Sequence, residues 1–140
     1  MGGSPISWRS QCQTSVSKSS TEAEYIAASE AACELVWLHD LLIDAGIISE
    51  GTAALKSKES GSVSLNVDNK GAVDLSKTEA ITRRSRHIKI QYHLLRDGVD
   101  KEEIMLEHVS TTENIADGLT KPLLIKPFEE FREKIGVVSL

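Results

Sequence analysis

Two cysteines, Cys12 and Cys33, are all that the 140 residues hold. They have neither the spacing of metal ligands nor the density of a disulfide scaffold, so both read as reduced thiols. No run approaches the ~18 consecutive apolar residues that cross a bilayer, which argues against a membrane partner. The opening MGGSPISW lacks the basic and apolar regions of a signal peptide, and Met1-Gly2 ahead of Ser4 is not a myristoylation context. Internal repeats and low-complexity tracts are missing too. Basic residues are outnumbered, 16 Lys and Arg against 21 Asp and Glu, for a net charge of -5. A chain with that overall field repels phosphate, so contact with nucleic acid has to run through a local basic patch.

What is present suits one globular domain: 40% hydrophobic and 26% charged residues over an ordinary domain length. PISWRSQCQT reads as a strand, with Ile6, Trp8 and Cys12 alternating with polar positions. SKSSTEAEY reads as a helix start, because Ser19-x-x-Glu22 and Thr21-x-x-Glu24 both fit a capping box. That helix runs to about Ala45, with Ala28, Ala31, Leu35, Leu38 and Leu42 on one stripe and Gly46 as its stop. Residues 49–61 read as a polar loop. SVSLNVDN is a strand, KGAVDLSK a short helix, and TRRSRHIKIQYHLLRDGVDKE a basic helix ending near Gly98. EIMLEHVS is a further strand, with Ile104 and Leu106 on one face. TTENIADGLTK opens a short helix at a Thr cap, Pro122 and Pro127 break the chain, and FEEFREKIGVV is a terminal amphipathic helix. The order β-α-β-α-α-β-α-α predicts a layered α/β domain.

Three carboxylates stand apart. Asp68 closes a strand, Asp117 lies in the first turn of a helix after another strand, and Glu24 falls on the apolar stripe of the long helix while Glu22 points away from it. An acid facing a core is costly unless donors or cations compensate it. Carboxylates gathered at strand and helix ends suit hard Mg²⁺ or Mn²⁺. Taken singly, each is also what a helix N-terminus favours through its dipole. Arg83, Arg84, Arg86, His87, Lys89, His93 and Arg96 form the one basic run. It reads either as a solvated helix face or as a contact for a nucleic-acid backbone. Trp8 and Trp37 read as packing residues.

SSTEAEYIAASEAACELVWLHDLL, VDNKGAV, RSRHIKIQYHLLRD and ENIADGLTKPL, in that order and spacing, resemble the ribonuclease H domain at the C-terminal end of the Pol polyprotein of copia-type LTR retrotransposons. The resemblance implies an α/β fold with a ribonuclease H-like mixed sheet flanked by helices. It also implies hydrolysis of the RNA strand of an RNA-DNA hybrid during reverse transcription, by two Mg²⁺ or Mn²⁺ ions on a D-E-D-D set. Carried over, the catalytic and metal-holding acids are Glu24, Asp68 and Asp117, with Ala27 and Ala31 setting the register of Glu24 and Glu22 the alternative. Arg83, Arg84, Arg86, His87 and Lys89 become the nucleic-acid contacts. The implied partners are the hybrid and the reverse transcriptase portion of a parent polyprotein. The implied location is intracellular, in the cytoplasm and within a virus-like particle of the parent element.

The family's first Asp, on its first strand, has no counterpart here. The resemblance therefore implies one truncated domain over 1–140, lacking the first two strands, with a C-terminal helical extension from about 122 to 140. The strand at 6–14 then has no natural partner, and is expected either beside the Asp68 strand or in self-association with a second copy. Two other readings are a non-catalytic nucleic-acid-binding or interaction module, and the fragment of a decayed element. With the bridging carboxylate missing, the 140 residues alone are expected to show weak or no cleavage. Incubated with a labelled RNA-DNA hybrid and Mg²⁺ or Mn²⁺, the purified chain should give no cleavage that depends on Asp68; cleavage lost on Asp68→Asn contradicts this.

Overall fold

The computed structural model describes residues 5–13, 16–48, 62–77 and 89–137. The chain forms two compact units, Val16–His108 and a smaller one from Met1–Ser15 with Val109–Leu140. Every buried hydrophobic side chain among the described residues belongs to the larger unit.

In that unit the long helix α1 (Ser20–Asp44) is followed by strand β1 (Val63–Val67), helices α2 (Lys70–Lys77) and α3 (Lys89–Asp100), and strand β2 (Ile104–His108). The strands pair in parallel, with Val63 opposite Ile104, Leu65 opposite Leu106 and Val67 opposite His108. Parallel strands need a crossover, and here α2 and α3 lie within it. Side chains of period two put Val63, Leu65, Val67, Ile104 and Leu106 on one face. One buried cluster joins Tyr25, Ala28 and Ala32 of α1, Val67, Ala72 and Val73, Leu95 of α3, and Ile104 and Leu106. The domain's α/β character therefore holds, with a sheet that is small and purely parallel among the described residues.

Several expectations change. Residues 5–13 contain no strand. Ile6 and Trp8 there are exposed, Trp8 at 67%, so their alternation has no apolar surface to serve and no ladder to join. The buried side of α1 is Glu22, Tyr25, Ile26, Ala28, Ser29, Ala32 and Leu42. Ala31 is exposed and Leu35 and Leu38 half-buried, so the true stripe is rotated from the expected one towards Tyr25 and Ile26. Trp37, at 57% exposure, is likewise no packing residue. The helix α3 ends at Asp100, close to the expected end near Gly98.

The two helix ends share a mechanism. After α1, Gly46 takes φ 66°, its N–H donates to the Ile43 carbonyl at 2.8 Å, and Ile47 N–H donates to the Leu42 carbonyl at 3.0 Å. This paired closure needs a left-handed residue, which glycine supplies without strain. After α3 the same pair of bonds runs from Glu102 to Val99 and from Glu103 to Gly98, but Glu102 holds φ 57°. Gly98, inside α3, has another task. A Cβ on Gly98 would stand 2.8 Å from Ile104 Cδ1, so Gly98 is where α3 lies closest to β2.

The smaller unit carries α4 (Asp117–Thr120) and α5 (Ile125–Lys134). Ala116, not a threonine, caps α4. Pro127 lies in the first turn of α5, where its missing N–H is not needed, so it does not break the helix. Gly118 brings α4 against the ring of Phe131. No helix among the described residues is long and apolar enough to cross a membrane.

Urea denaturation checks this packing. Gly98→Val should lower the unfolding free energy by about 1–3 kcal/mol through overpacking against Ile104. Glu102→Gly should raise it by about 0.5–1 kcal/mol by relieving the left-handed backbone; a loss in the second variant contradicts the closure described.

Candidate functional site

The corner where β1 ends is built by VDNKGAV, each residue with a separate task. Val67 is the last buried residue of the strand. Asn69 caps α2: its Oδ1 accepts from Ala72 N–H at 3.2 Å and its carbonyl accepts from Ala72 and Val73. Lys70 opens the helix, and Ala72 and Val73 enter the core. Gly71 leaves room for α1, since a Cβ there would stand 3.0 Å from Thr21 Cγ2 and 3.1 Å from Thr21 Oγ1. Asp68 is half-buried between the strand and its cap. Because Asn69 supplies the capping oxygen, helix initiation does not account for Asp68.

The start of α1 sorts its two acids in the same way. Ser19 is the cap, with Oγ accepting from Glu22 N–H at 3.2 Å, and Glu22 Oε2 accepts from Lys18 N–H at 2.7 Å. Of the two possible capping boxes the molecule uses Ser19 with Glu22. This corrects the expected orientation of Glu22: it is 7% exposed, on the buried side with Tyr25 and Ile26. A carboxylate is tolerated there because it accepts a backbone donor. The apolar pair Tyr25-Ile26, three and four residues after Glu22 and so on its side of the helix, is the sequence signal for that rotation. Glu24 is half-buried, and α1's capping bonds fall to Ser19 and Glu22.

Packing brings the first turns of α1 and α2 together. Tyr25, next to Glu24, shares a buried cluster with Val67, next to Asp68. Thr21 lies against Gly71, and residues three apart on a helix are neighbours, which places Glu24 beside Thr21. The first turns of α1 and α2 thus meet at the carboxyl end of the parallel strands, where open α/β sheets bind ligands. His108, exposed and in register with Val67, closes β2 at the same end.

Asp117 belongs to the smaller unit, as the first residue of α4. Its Oδ2 accepts from Lys121 Nζ at 2.7 Å, an i,i+4 pair. Such a partly exposed pair contributes about 0.3–0.5 kcal/mol, so it orients the carboxylate more than it stabilises the fold. Arg83, Arg84, Arg86 and His87 lie outside the described residues, and of Lys89 only its place as the first residue of α3 is described. His93 is exposed, and Arg96 pairs with Asp100 at 3.4 Å.

Glu24 and Asp68, near the starts of α1 and α2, each carry the carboxylate type of donor that suits a hard divalent cation. Within either unit, no three His, Cys, Asp or Glu side chains gather among the described residues. Capping and chemistry are separable by mutation. Asn69→Ala should cost about 1 kcal/mol in thermal or urea unfolding, while Asp68→Asn should cost less than half of that; the reverse order makes Asp68 a structural cap.

Comparison with known proteins bears on the whole chain. Over 137 residues, 98% of the chain, it is 39% identical to the retrovirus-related Pol polyprotein from transposon TNT 1-94 of Nicotiana tabacum, of which it spans 10%. Over 140 residues it is 37% identical to the retrovirus-related Pol polyproteins from transposons RE2 and RE1 of Arabidopsis thaliana, spanning 9% of each. No family model and no solved structure matches. The chain is thus homologous, along practically its whole length, to one segment of the retrovirus-related Pol polyproteins of plant transposons, about a tenth of their length.

Proposed function

We propose that this segment is the ribonuclease H portion of a retrotransposon Pol polyprotein, and that Glu24, Asp68 and Asp117 are its contribution to holding divalent cations for hydrolysis of the RNA strand of an RNA-DNA hybrid. The observation that supports the proposal is the meeting of the first turns of α1 and α2, where Thr21 lies against Gly71, at the carboxyl end of the parallel strands. The chemistry that bound Mg²⁺ or Mn²⁺ supplies is activation of a water and stabilisation of the leaving oxygen of a phosphodiester.

The chain's own residues have defined parts in this reading. The backbone of Asp68 is held at the strand exit between the buried Val67 and the Asn69 cap. Glu24 stands on a helix fixed by Tyr25, Ala28 and Ala32 and is proposed to reach the same corner. The N-terminal dipole ends of α1 and α2 favour an anion nearby, which suits the approach of a phosphate. Arg83, Arg84, Arg86, His87 and Lys89 are proposed to pair with backbone phosphates of the hybrid, against a chain that is acidic overall. A second reading, a module that binds hybrid without cleaving it, is favoured by the lack of a three-carboxylate group within either unit among the described residues.

Binding of a fluorescent hybrid, followed by anisotropy with and without Mn²⁺ across a salt series, separates the two. The ribonuclease H reading predicts binding tightened by Mn²⁺, with that gain lost on Glu24→Gln and on Asp68→Asn. Arg83→Ala with Arg86→Ala should reduce the slope of log affinity against log salt by about 1.8, at ~0.9 per phosphate contact. Binding indifferent to Mn²⁺ and to Asp68→Asn, yet still dependent on the two arginines, supports the module and contradicts the metal reading.

A further inference from the structure

We infer that the side of α1 turned away from the core, centred on Trp37, is a docking surface for an arginine-bearing amphipathic helix of a partner protein. The inference goes beyond the hydrolysis proposed above and does not depend on it. α1 is apolar on two sides. Tyr25, Ala28 and Ala32 fill the core, while Cys33, Trp37 and Leu41 follow one another at steps of four on the outer side and make one ridge along the helix. Cys33 is exposed, Trp37 is 57% exposed and Leu41 46%. Helices apolar on both sides belong where both sides are covered, and here the outer ridge stands open to solvent. Tryptophan is also among the residues most enriched at the energetic centres of protein interfaces.

Charge decides what covers the ridge. From Ser20 to Asp44 the helix holds no lysine or arginine. Asp40 and Asp44 are exposed and, three residues after Trp37 and Leu41, border the ridge. Asp40 has His39 Nδ1 at 3.5 Å, a cation only when the imidazole is protonated. Asp44 lies in the last turn, which carries no basic residue, so it meets the negative end of the helix dipole. That placement costs local stability, and a cation brought by a partner offsets it. The same acids repel a nucleic-acid backbone and an anionic lipid surface, and a second copy presenting this side would set like charges together. An arginine-bearing helix meets each demand. Its guanidinium stacks on the Trp37 ring and pairs with the Asp40 carboxylate a turn away, while its apolar side chains cover Trp37 and Leu41.

The test uses two fluorescein-labelled amphipathic peptides, one with leucines along one side flanked by arginines and one with glutamates in place of the arginines. Each is titrated with the full chain and followed by anisotropy. The arginine peptide should bind about tenfold more tightly than the glutamate peptide, or better. In a Trp8→Phe chain, where Trp37 is the remaining tryptophan, it should also shift the emission to the blue. Trp37→Ala should weaken binding roughly thirtyfold, the scale of a central interface residue, and leave the urea midpoint near that of the parent chain. Asp40→Asn with Asp44→Asn should weaken binding roughly fivefold at low salt, yet raise the urea midpoint, because an acid leaves the negative end of the dipole. A merely structural role for these acids would lower that midpoint. No binding of the arginine peptide, equal binding of the two peptides, or binding untouched by Trp37→Ala overturns the inference. So does a dimer, seen by sedimentation of the chain alone, that dissociates on Trp37→Ala, since a second copy then occupies the ridge.

Discussion

Tyr25, Ala28 and Ala32 on one side of α1 exclude water from the same volume as Val67, Ile104 and Leu106 on the two strands, and the larger unit depends on that burial. Two parallel strands of five residues each cannot stand alone in water, because parallel pairs need apolar cover and short sheets are marginal. α1 supplies much of the cover, while α2 and α3 add Ala72, Val73 and Leu95 to it. The meeting of the first turns of α1 and α2 is a by-product of this packing. Tyr25 and Val67 are core residues, and Glu24 and Asp68 are their immediate neighbours in the chain.

The same corner shows how the sequence divides labour between polar residues of one kind. Asn69 and Ser19 initiate helices through side-chain oxygens, and Glu22 completes the cap at α1. Gly71 allows the two helix starts to touch, since any side chain there would meet Thr21 and Asn69. With those tasks assigned, Asp68 is left where a strand exits its sheet, a position that neither core packing nor capping requires. This is the physical basis for treating it as a functional acid rather than as a surface charge.

Much of the fold was legible in the chain, and the failures have particular causes. The strands around Leu65 and Leu106, the stop at Gly46 and the short helix after Asn69 follow from local rules that the tertiary structure leaves intact. The stripe of α1 was misjudged because alanines and leucines at steps of three and four suit more than one face. Tyr25 and Ile26, with the larger apolar surface, decide which face is buried. The place of Gly98 in α3 is fixed by contact with Ile104, a residue that local pattern cannot bring near. The left-handed turn falls instead on Glu102, for which the sequence carries no signal. Residues 5–13 alternate like a strand, but alternation reports only a tendency, and a strand needs a partner. The acids themselves were visible as types and positions. Their separation from capping was not, since Ser19, Thr21, Glu22 and Glu24 offer two equally good boxes until the backbone chooses.

The proposed function requires Glu24 and Asp68 to hold a cation jointly. Crystals of the chain grown with Mn²⁺ and diffracted at the manganese absorption edge test this most directly. The account predicts an anomalous peak about 2.1 Å, the octahedral hard-cation distance, from an oxygen of each carboxylate. Anomalous density elsewhere, with Glu24 and Asp68 turned to separate surroundings, would contradict it.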